Sequence, residues 1–301
     1  MTADTRRAYL WACALDVAVR KPGNVSVASA GHGMHAGQFI ASAIVSADAV
    51  CEGDAPVGRR IEGAIRATRA AVECNTNLGI VLLCAPLAAA AQATAGRSVD
   101  ALRAQLRATL AGLNVEDARA AFRAIALANP GGLGAAAQQD VREAPTIDLR
   151  AAMQLAADRD RVARQYASGF ADVFDGLADF DRFSAEPAIA MLACYIGILA
   201  SGPDSHIVRK HGGALAQTVT DEARAHLEAW CKSRKPPTPD ALATWDARLK
   251  GAGLNPGTSA DLAVASAFLA AIMDPRLSDL RVPGLAWNVL NTRPTLTRLS
   301  G

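Results

Sequence analysis

Apolar and polar residues recur with helical spacing along most of this chain. Over residues 36–51, Phe39, Ile40, Ile44 and Val45 mark an apolar stripe, the signature of a helix with one buried face. Similar patterns predict helices over 5–20, 57–72, 98–110, 115–127, 187–201 and 259–273. The segment LGIVLLCAPLAAAAQA, 78–93, is apolar on every side and predicts a helix buried all round. Residues 150–175 read as one long or slightly broken helix. Punctuation falls between these stretches. Lys21-Pro22-Gly23 stops the first helix, since proline disfavours helical geometry at the residue before it. NPGGLG, from Asn129, is a flexible break, and a loop continues to Asp148. SRKPPTP, from Ser233, is an exposed connection. No strand, internal repeat or low-complexity tail is read. The expectation is an all-α fold: one globular multi-helix bundle spanning 1–301, with a central buried helix.

Composition narrows the class. Of 301 residues, 51% are hydrophobic and 5% aromatic, enough for a sizeable core. Ala and Leu dominate, and both favour helix. A net charge of +2 argues against a nucleic-acid protein that relies on a broad basic surface. The six cysteines contain no CxxC pair and read as reduced thiols of a cytoplasmic protein. The N-terminus lacks the apolar run of a signal peptide. The most apolar stretch, 78–93, contains Pro86 and is shorter than a membrane span of ~20 residues.

Against this background six polar clusters stand out. KPGNVS places Lys21, Gly23 and Asn24 in a turn, offering a point charge and close backbone approach to a phosphate. GHGMH puts His32 and His35 three apart at a helix start, on one face if helical. ECNTNLG gathers Glu73, Asn75, Thr76, Asn77 and Gly79 at the mouth of the buried helix, where free N–H groups make an anion site. In ADRDRVAR, Asp158 or Asp160 suits a metal, and the arginines suit a phosphate. DSHIVRKHG joins Asp204, a candidate Mg²⁺ ligand, to His206, Arg209 and Lys210. NPGTSAD carries Asn255, Gly257, Thr258 and Ser259 into a helix, with Asp261 in its first turn. Each cluster also has a structural reading as a cap, turn or solvated ion-pair face. Their joint occurrence in an apolar chain points to helix ends converging on one polar, phosphate-bearing ligand.

Taken in order, KPGNV, the His-containing loop, NTNLGIVLLCAPL, DSHIVRKHG and NPGTSADL resemble the triphosphoribosyl-dephospho-CoA synthase family, from about Asp16 to about Ile272. The resemblance implies an all-helical transferase in which the 2′-hydroxyl of dephospho-CoA attacks the ribose C1′ of ATP and adenine leaves. Asp204, Asp261 and Glu73 would then stabilise the oxocarbenium-like state or activate the hydroxyl. His32 or His35 would protonate adenine. Lys21, Arg209 and the Asn75–Gly79 helix start would hold phosphates. Mg²⁺ would be the cofactor, on Asp204, Asp261 and Asp160. This chain departs from the family pattern at NTNLG, where NTHKG is usual, and at His32-Gly33-Met34, which lacks the family's acid. NTNLG and ADRDRVARQY look more like a divergent branch of archaea and methylotrophic bacteria. That likeness suggests a transfer or condensation step in making one-carbon carriers such as tetrahydromethanopterin or methylofuran. The expected partners are ATP or another phosphorylated small molecule, with dephospho-CoA or a cofactor precursor. Neither nucleic acid nor membrane is expected, and the sequence leaves room for a homodimer. A non-catalytic nucleotide- or partner-binding helical protein is the reading from another class.

Overall fold

Alanine-rich apolar segments bury best as helices packed on helices, because small side chains allow close axial approach and helix satisfies every interior backbone group. The computed structural model describes residues 2–285 and follows that rule. Among them are α1 (Thr2–Ala18), α2 (Ala36–Val50), α3 (Val57–Val72), α4 (Leu78–Ala93), α5 (Val99–Ala111), α6 (Val115–Ala128), α7 (Leu149–Ala156), α8 (Arg161–Ser168), α9 (Ala171–Arg182), α10 (Pro187–Ser201), α11 (Ser205–His211), α12 (Gly213–Ser233), α13 (Pro239–Gly251) and α14 (Gly257–Met273). A short 3-10 helix follows at Pro275–Asp279. No strand forms among the described residues, so the fold is all-α as expected; two isolated bridges, Ser26 with Ser29 and Gly31 with Met34, shape the loop after α1.

Two helices without a polar face form the centre. α4 is buried around its girth and so is α14, which packs against α1, α4, α9 and α10. The amphipathic helices surround them. α3 buries Val57, Gly58, Arg60, Ile61, Ala64, Ile65 and Thr68 and turns Arg59, Arg66 and Arg69 outward. It is locked to α6 where Gly58 N donates to Asp117 Oδ1 at 2.8 Å. Gly58 is required there, because a Cβ would stand 2.5 Å from the Asp117 backbone.

Pro86 inside α4 cannot donate to the carbonyl four residues earlier. Tyr166 of α8 fills that gap: its hydroxyl donates to Leu82 O at 2.6 Å. A proline that would weaken an isolated helix here becomes an anchor between two helices. Burial pushes the Tyr166 phenol upward, so it remains a donor.

The expected helix over 150–175 is instead three elements, α7, α8 and the start of α9. Asp160 caps α8, its Oδ1 accepting from Val162 N and Ala163 N. Gly169 ends α8 in the left-handed region at φ 69°. Arg161 is not part of a solvated ion-pair face. It is 4% exposed and donates to Ile198 O, Gly202 O, Ser201 Oγ and Asp172, tying α8 to the end of α10. The helices α11 and α13 occupy stretches where no helix is read from sequence, whereas α12 ends at Ser233, where the prolines of SRKPPTP are expected to end a helix. All six cysteines are free thiols. Among the described residues no single helix is long and apolar enough to cross a membrane.

Candidate active site

A cavity of about 450 Å³ opens where the start of α4, the segment 255–261 leading into α14, and α11 meet the C-terminal half of α6, α7, α8 and the loop 130–141. Its two ends differ in character. The polar end is lined by Asp16, Asn24, Asn75, Thr76, Asn77, Gly79, His206, Arg209, Asn255, Gly257, Thr258 and Asp261. The rest of the lining is mixed: Phe122, Ile125, Met153, Val162 and Ala163 stand with Gln138, Gln139, Asp140 and Arg159. Five of the six clusters singled out in the sequence therefore contribute to one hollow; GHGMH adds only Met34.

Asp261 is central. It stands in the second turn of α14, and no hydrogen bond or ion pair to its carboxylate is formed among the described residues. Its Oδ2 lies so close to Gly79 that a Cβ there would be 2.1 Å away, so any side chain at 79 must displace the carboxylate. Burial, then the charges of Asp16 and Asp204, push its pKa well above the usual carboxylate range, with Arg209 opposing. Asp16 also lines the cavity. Burial raises it too, against the pull of Lys21, whose Nζ sits 2.9 Å from Asp16 Oδ1.

The segments around Asp261 are braced against one another. Gly23, at φ 82°, packs on Pro256 and Leu254, and its N–H donates to Asp246 Oδ1. Asn24 Nδ2 donates to Asn255 Oδ1 at 3.0 Å. The two Pro-Gly turns, far apart in sequence, are thus one unit. At the start of α4, Asn75 Oδ1 accepts from Leu78 N, Thr76 bonds Ser42, and Asn77 Nδ2 donates to Ser46 Oγ. His206 rests its ring on Gly257, where a Cβ would meet Nδ1 at 2.7 Å. Burial and the neighbouring Lys210 and Arg209 charges push the His206 pKa down to about 3, so the ring is neutral. Four lining side chains each keep a buried polar atom without a protein partner: Asn24 Oδ1, Asn77 Oδ1, His206 Nε2 and Arg209 Nε. Buried polar atoms are normally satisfied, so these four stand out among the lining side chains as groups the protein itself does not answer.

Other candidates serve the scaffold. Asp204 lies off the cavity and is fully buried; Oδ1 accepts from His206 N and Ile207 N, and Oδ2 from Ser259 N and Oγ. Those four bonds fill its lone pairs, which corrects its reading as a metal ligand or catalytic acid, and they equally occupy Ser259. Asp160 lines the cavity, but its oxygens cap α8 and pair with Arg209 Nη1 at 2.6 Å, so it too is no open metal ligand. Lys21 is wholly buried against Asp16 and holds no phosphate. Gly23 acts through its backbone behind the lining. His32 sits at φ 56° with a ring nitrogen 2.9 Å from Gly23 O, while His35 is the N-cap position of α2. The pair therefore does not share a helix face. His35 and Glu73, the left-handed residue ending α3, border a separate shallow groove, and none of His32, His35 and Glu73 lines the cavity. Lys210 is exposed beside Gly131 and also lies outside the lining.

The loop 130–141 and the apolar wall behind it lie outside the sequence reading of the site. Asp16 lines the cavity as well, and of the ADRDRVAR arginines read as suiting a phosphate only Arg159 does so. Asp16 carried one usable signal: an acid one helical turn before a Lys-Pro-Gly turn.

The model of the ATP:dephospho-CoA triphosphoribosyl transferase family matches residues 2–279 of this chain. No curated protein matches significantly. A crystal structure from Archaeoglobus fulgidus, described as a triphosphoribosyl-dephospho-CoA synthase, superposes with a TM-score of 0.64 at 23% identity, over 78% of this chain and 99% of that one. That likeness supports the fold, and the family match supports the class of chemistry. The chain belongs to the ATP:dephospho-CoA triphosphoribosyl transferase family.

Proposed function

We propose that the cavity transfers a triphosphoribosyl group from ATP to the 2′-hydroxyl of dephospho-CoA. The hydroxyl oxygen bonds to the ribose C1′, the bond from C1′ to the purine nitrogen breaks, and adenine leaves with the electron pair. The hydroxyl proton passes to Asp261 and then, through solvent or substrate, to the departing base. Asp261 has an unpaired side chain in the cavity, so its ionised carboxylate can accept that proton and face the positive charge that grows on C1′. The α4 start with Asn75 and Thr76, together with Arg209, faces the triphosphate. His206, held neutral, offers Nε2 to a ribose hydroxyl.

Mg²⁺ fits the donor chemistry of the polar end. Asp16 and Asp261 are two cavity-lining acids whose charges oppose each other. No group of three or more His, Cys, Asp or Glu among the described residues forms a metal cage. The ion would be held by these one or two carboxylates, with triphosphate oxygens and water completing its shell, as Mg²⁺ prefers. When bound, it neutralises phosphate charge.

The observation that carries this reading is the coincidence of an unpaired carboxylate with four unsatisfied buried polar atoms in one cavity. Protein incubated with ATP, dephospho-CoA and Mg²⁺ is expected to release free adenine in step with a triphosphoribosyl mass gain on the acceptor. Bound ATP without adenine release would reject dephospho-CoA as acceptor and favour a different one, such as a one-carbon-carrier precursor.

A further inference from the structure

Helix α2 carries two wholly buried serines, Ser42 and Ser46, one turn apart, in a chain whose small buried positions are mostly alanine. Alanine is the better helix former and leaves no hydroxyl to satisfy, so packing alone does not explain them. Both stand outside the cavity lining, behind the start of α4. Each has one proton to give. Ser42 donates to Gln38 O at 2.7 Å and Ser46 to Ser42 O at 2.6 Å, each bonding back to the carbonyl four residues earlier. What the two serines offer α4 is therefore lone pairs. Thr76 Oγ1 donates its proton to Ser42 Oγ, and Asn77 turns Nδ2 to Ser46 Oγ at 3.3 Å. Tyr9 reinforces that direction. Its hydroxyl lies 2.9 Å from Ser46 Oγ and has no other acceptor among the described residues, so Tyr9 donates and Ser46 accepts. Burial pushes the Tyr9 phenol well above its ordinary value, which keeps the proton in place. An Asn77 amide turned the other way would set Oδ1 against Ser46 Oγ with no hydrogen between them.

We propose that Ser42 and Ser46 are positioning residues: without touching the ligand, they turn Thr76 and Asn77 so that both side chains present acceptor oxygens to the cavity and answer a hydroxyl or N–H of whatever is bound. Thr76 and Asn77 line the cavity, and Asn77 Oδ1 is the atom there that no protein donor reaches. Phosphates in the same cavity then draw their donors from Arg209 and from the amide nitrogen of Asn75, whose oxygen is spent on Leu78 N. The kinetic readout of this proposal rests on the transfer reaction above; the orientation itself does not.

Two double-mutant cycles test it, read as kcat/KM for adenine release from ATP. Alanine is smaller than serine, so neither serine variant strains the core. Ser46→Ala and Asn77→Ala are each expected to lower kcat/KM about tenfold, the size of one hydrogen bond, and the double variant to fall no lower than Asn77→Ala alone. Ser42→Ala with Thr76→Val should behave in the same way. Losses that multiply within a pair, as they would for serines that merely stabilise α2, overturn the proposal, and so do serine variants with unchanged kcat/KM. A second measurement needs no substrate. In protein labelled with 15N-asparagine, the Asn77 amide signal is identified by its absence from Asn77→Ala. That NH2 pair is expected to exchange with solvent at least about tenfold faster in Ser46→Ala than in the unmodified protein. Equal exchange rates overturn the proposal. If the unmodified protein releases no adenine from ATP, the transfer reading fails, and the exchange rates alone decide whether Ser46 orients Asn77.

Discussion

Two buried aspartates, one at the start of α11 and one in the second turn of α14, have similar sequence surroundings and opposite fates. Asp204 and Asp261 each lie among small polar residues near a helix start. Burial raises the pKa of both. Asp204 is answered by four donors, three of them backbone N–H groups of α11 and α14, and so fastens the two helices together. Asp261 has no donor and faces the cavity against the bare Cα of Gly79. A carboxylate whose lone pairs are filled stabilises a fold, and one left unfilled in a cavity is available for chemistry.

Neutralising Asp261 is the strongest test of this contrast. Asp261→Asn is expected to lower turnover by about 10²–10⁴-fold, the range for losing a positioned acid–base group, without lowering Tm. Retained turnover would exclude Asp261 from the proton path. Asp204→Ala should do the reverse, costing about 2–4 kcal/mol in denaturant unfolding because its buried donors lose their acceptor. An unfolding midpoint equal to the parent's would contradict its clamp role. Between these lies Gly79→Ala. The added Cβ collides with Asp261 Oδ2, so turnover should fall at least about tenfold, and the strain costs about 1–3 kcal/mol.

The contrast also has a pH signature. The folded-state pKa values of Asp16, Asp204 and Asp261 are raised, so between the unfolded carboxylate values and these higher ones the folded protein binds more protons. Their contribution is greatest at low pH and is lost as pH rises through the folded values. Asp261→Asn should therefore flatten the decline of Tm with rising pH; an unchanged slope would mean that Asp261 carries no such strain. Smallest of all, His35→Ala is expected to change turnover less than about twofold and stability by less than about 0.5 kcal/mol, as for a surface site. A large loss would return the shallow groove to the functional site.

The limits of sequence reading follow the same division between local and distant contacts. α3, α4 and α10 fall on their expected bounds because apolar spacing and flanking breakers are local signals. The stretch 150–175 breaks into separate helices because the Asp160 cap is completed by Arg209 and Arg161 is drawn under α10, partners that no local pattern names. The histidines of GHGMH suggested a shared helix face only on the assumption of helix, which the φ of 56° at His32 removes. Lys21 read as a phosphate ligand because its charge is visible in sequence, while its burial against Asp16 is not. The apolar wall went unread since Phe122, Ile125 and Met153 look like any core positions until the space beside them is known.

By itself, then, the order of residues determined the helical class, the centrality of the 78–93 segment and the polar clusters from which a site is built. Periodicity, caps and breakers act within a few residues of one another, so they can be read along a line. Tertiary structure alone decided which acids became clamps and which remained open, and which core side chains face a hollow. Those outcomes depend on donors and neighbours brought together from distant segments, as when Ser259 closes over Asp204 and Gly79 makes room for Asp261.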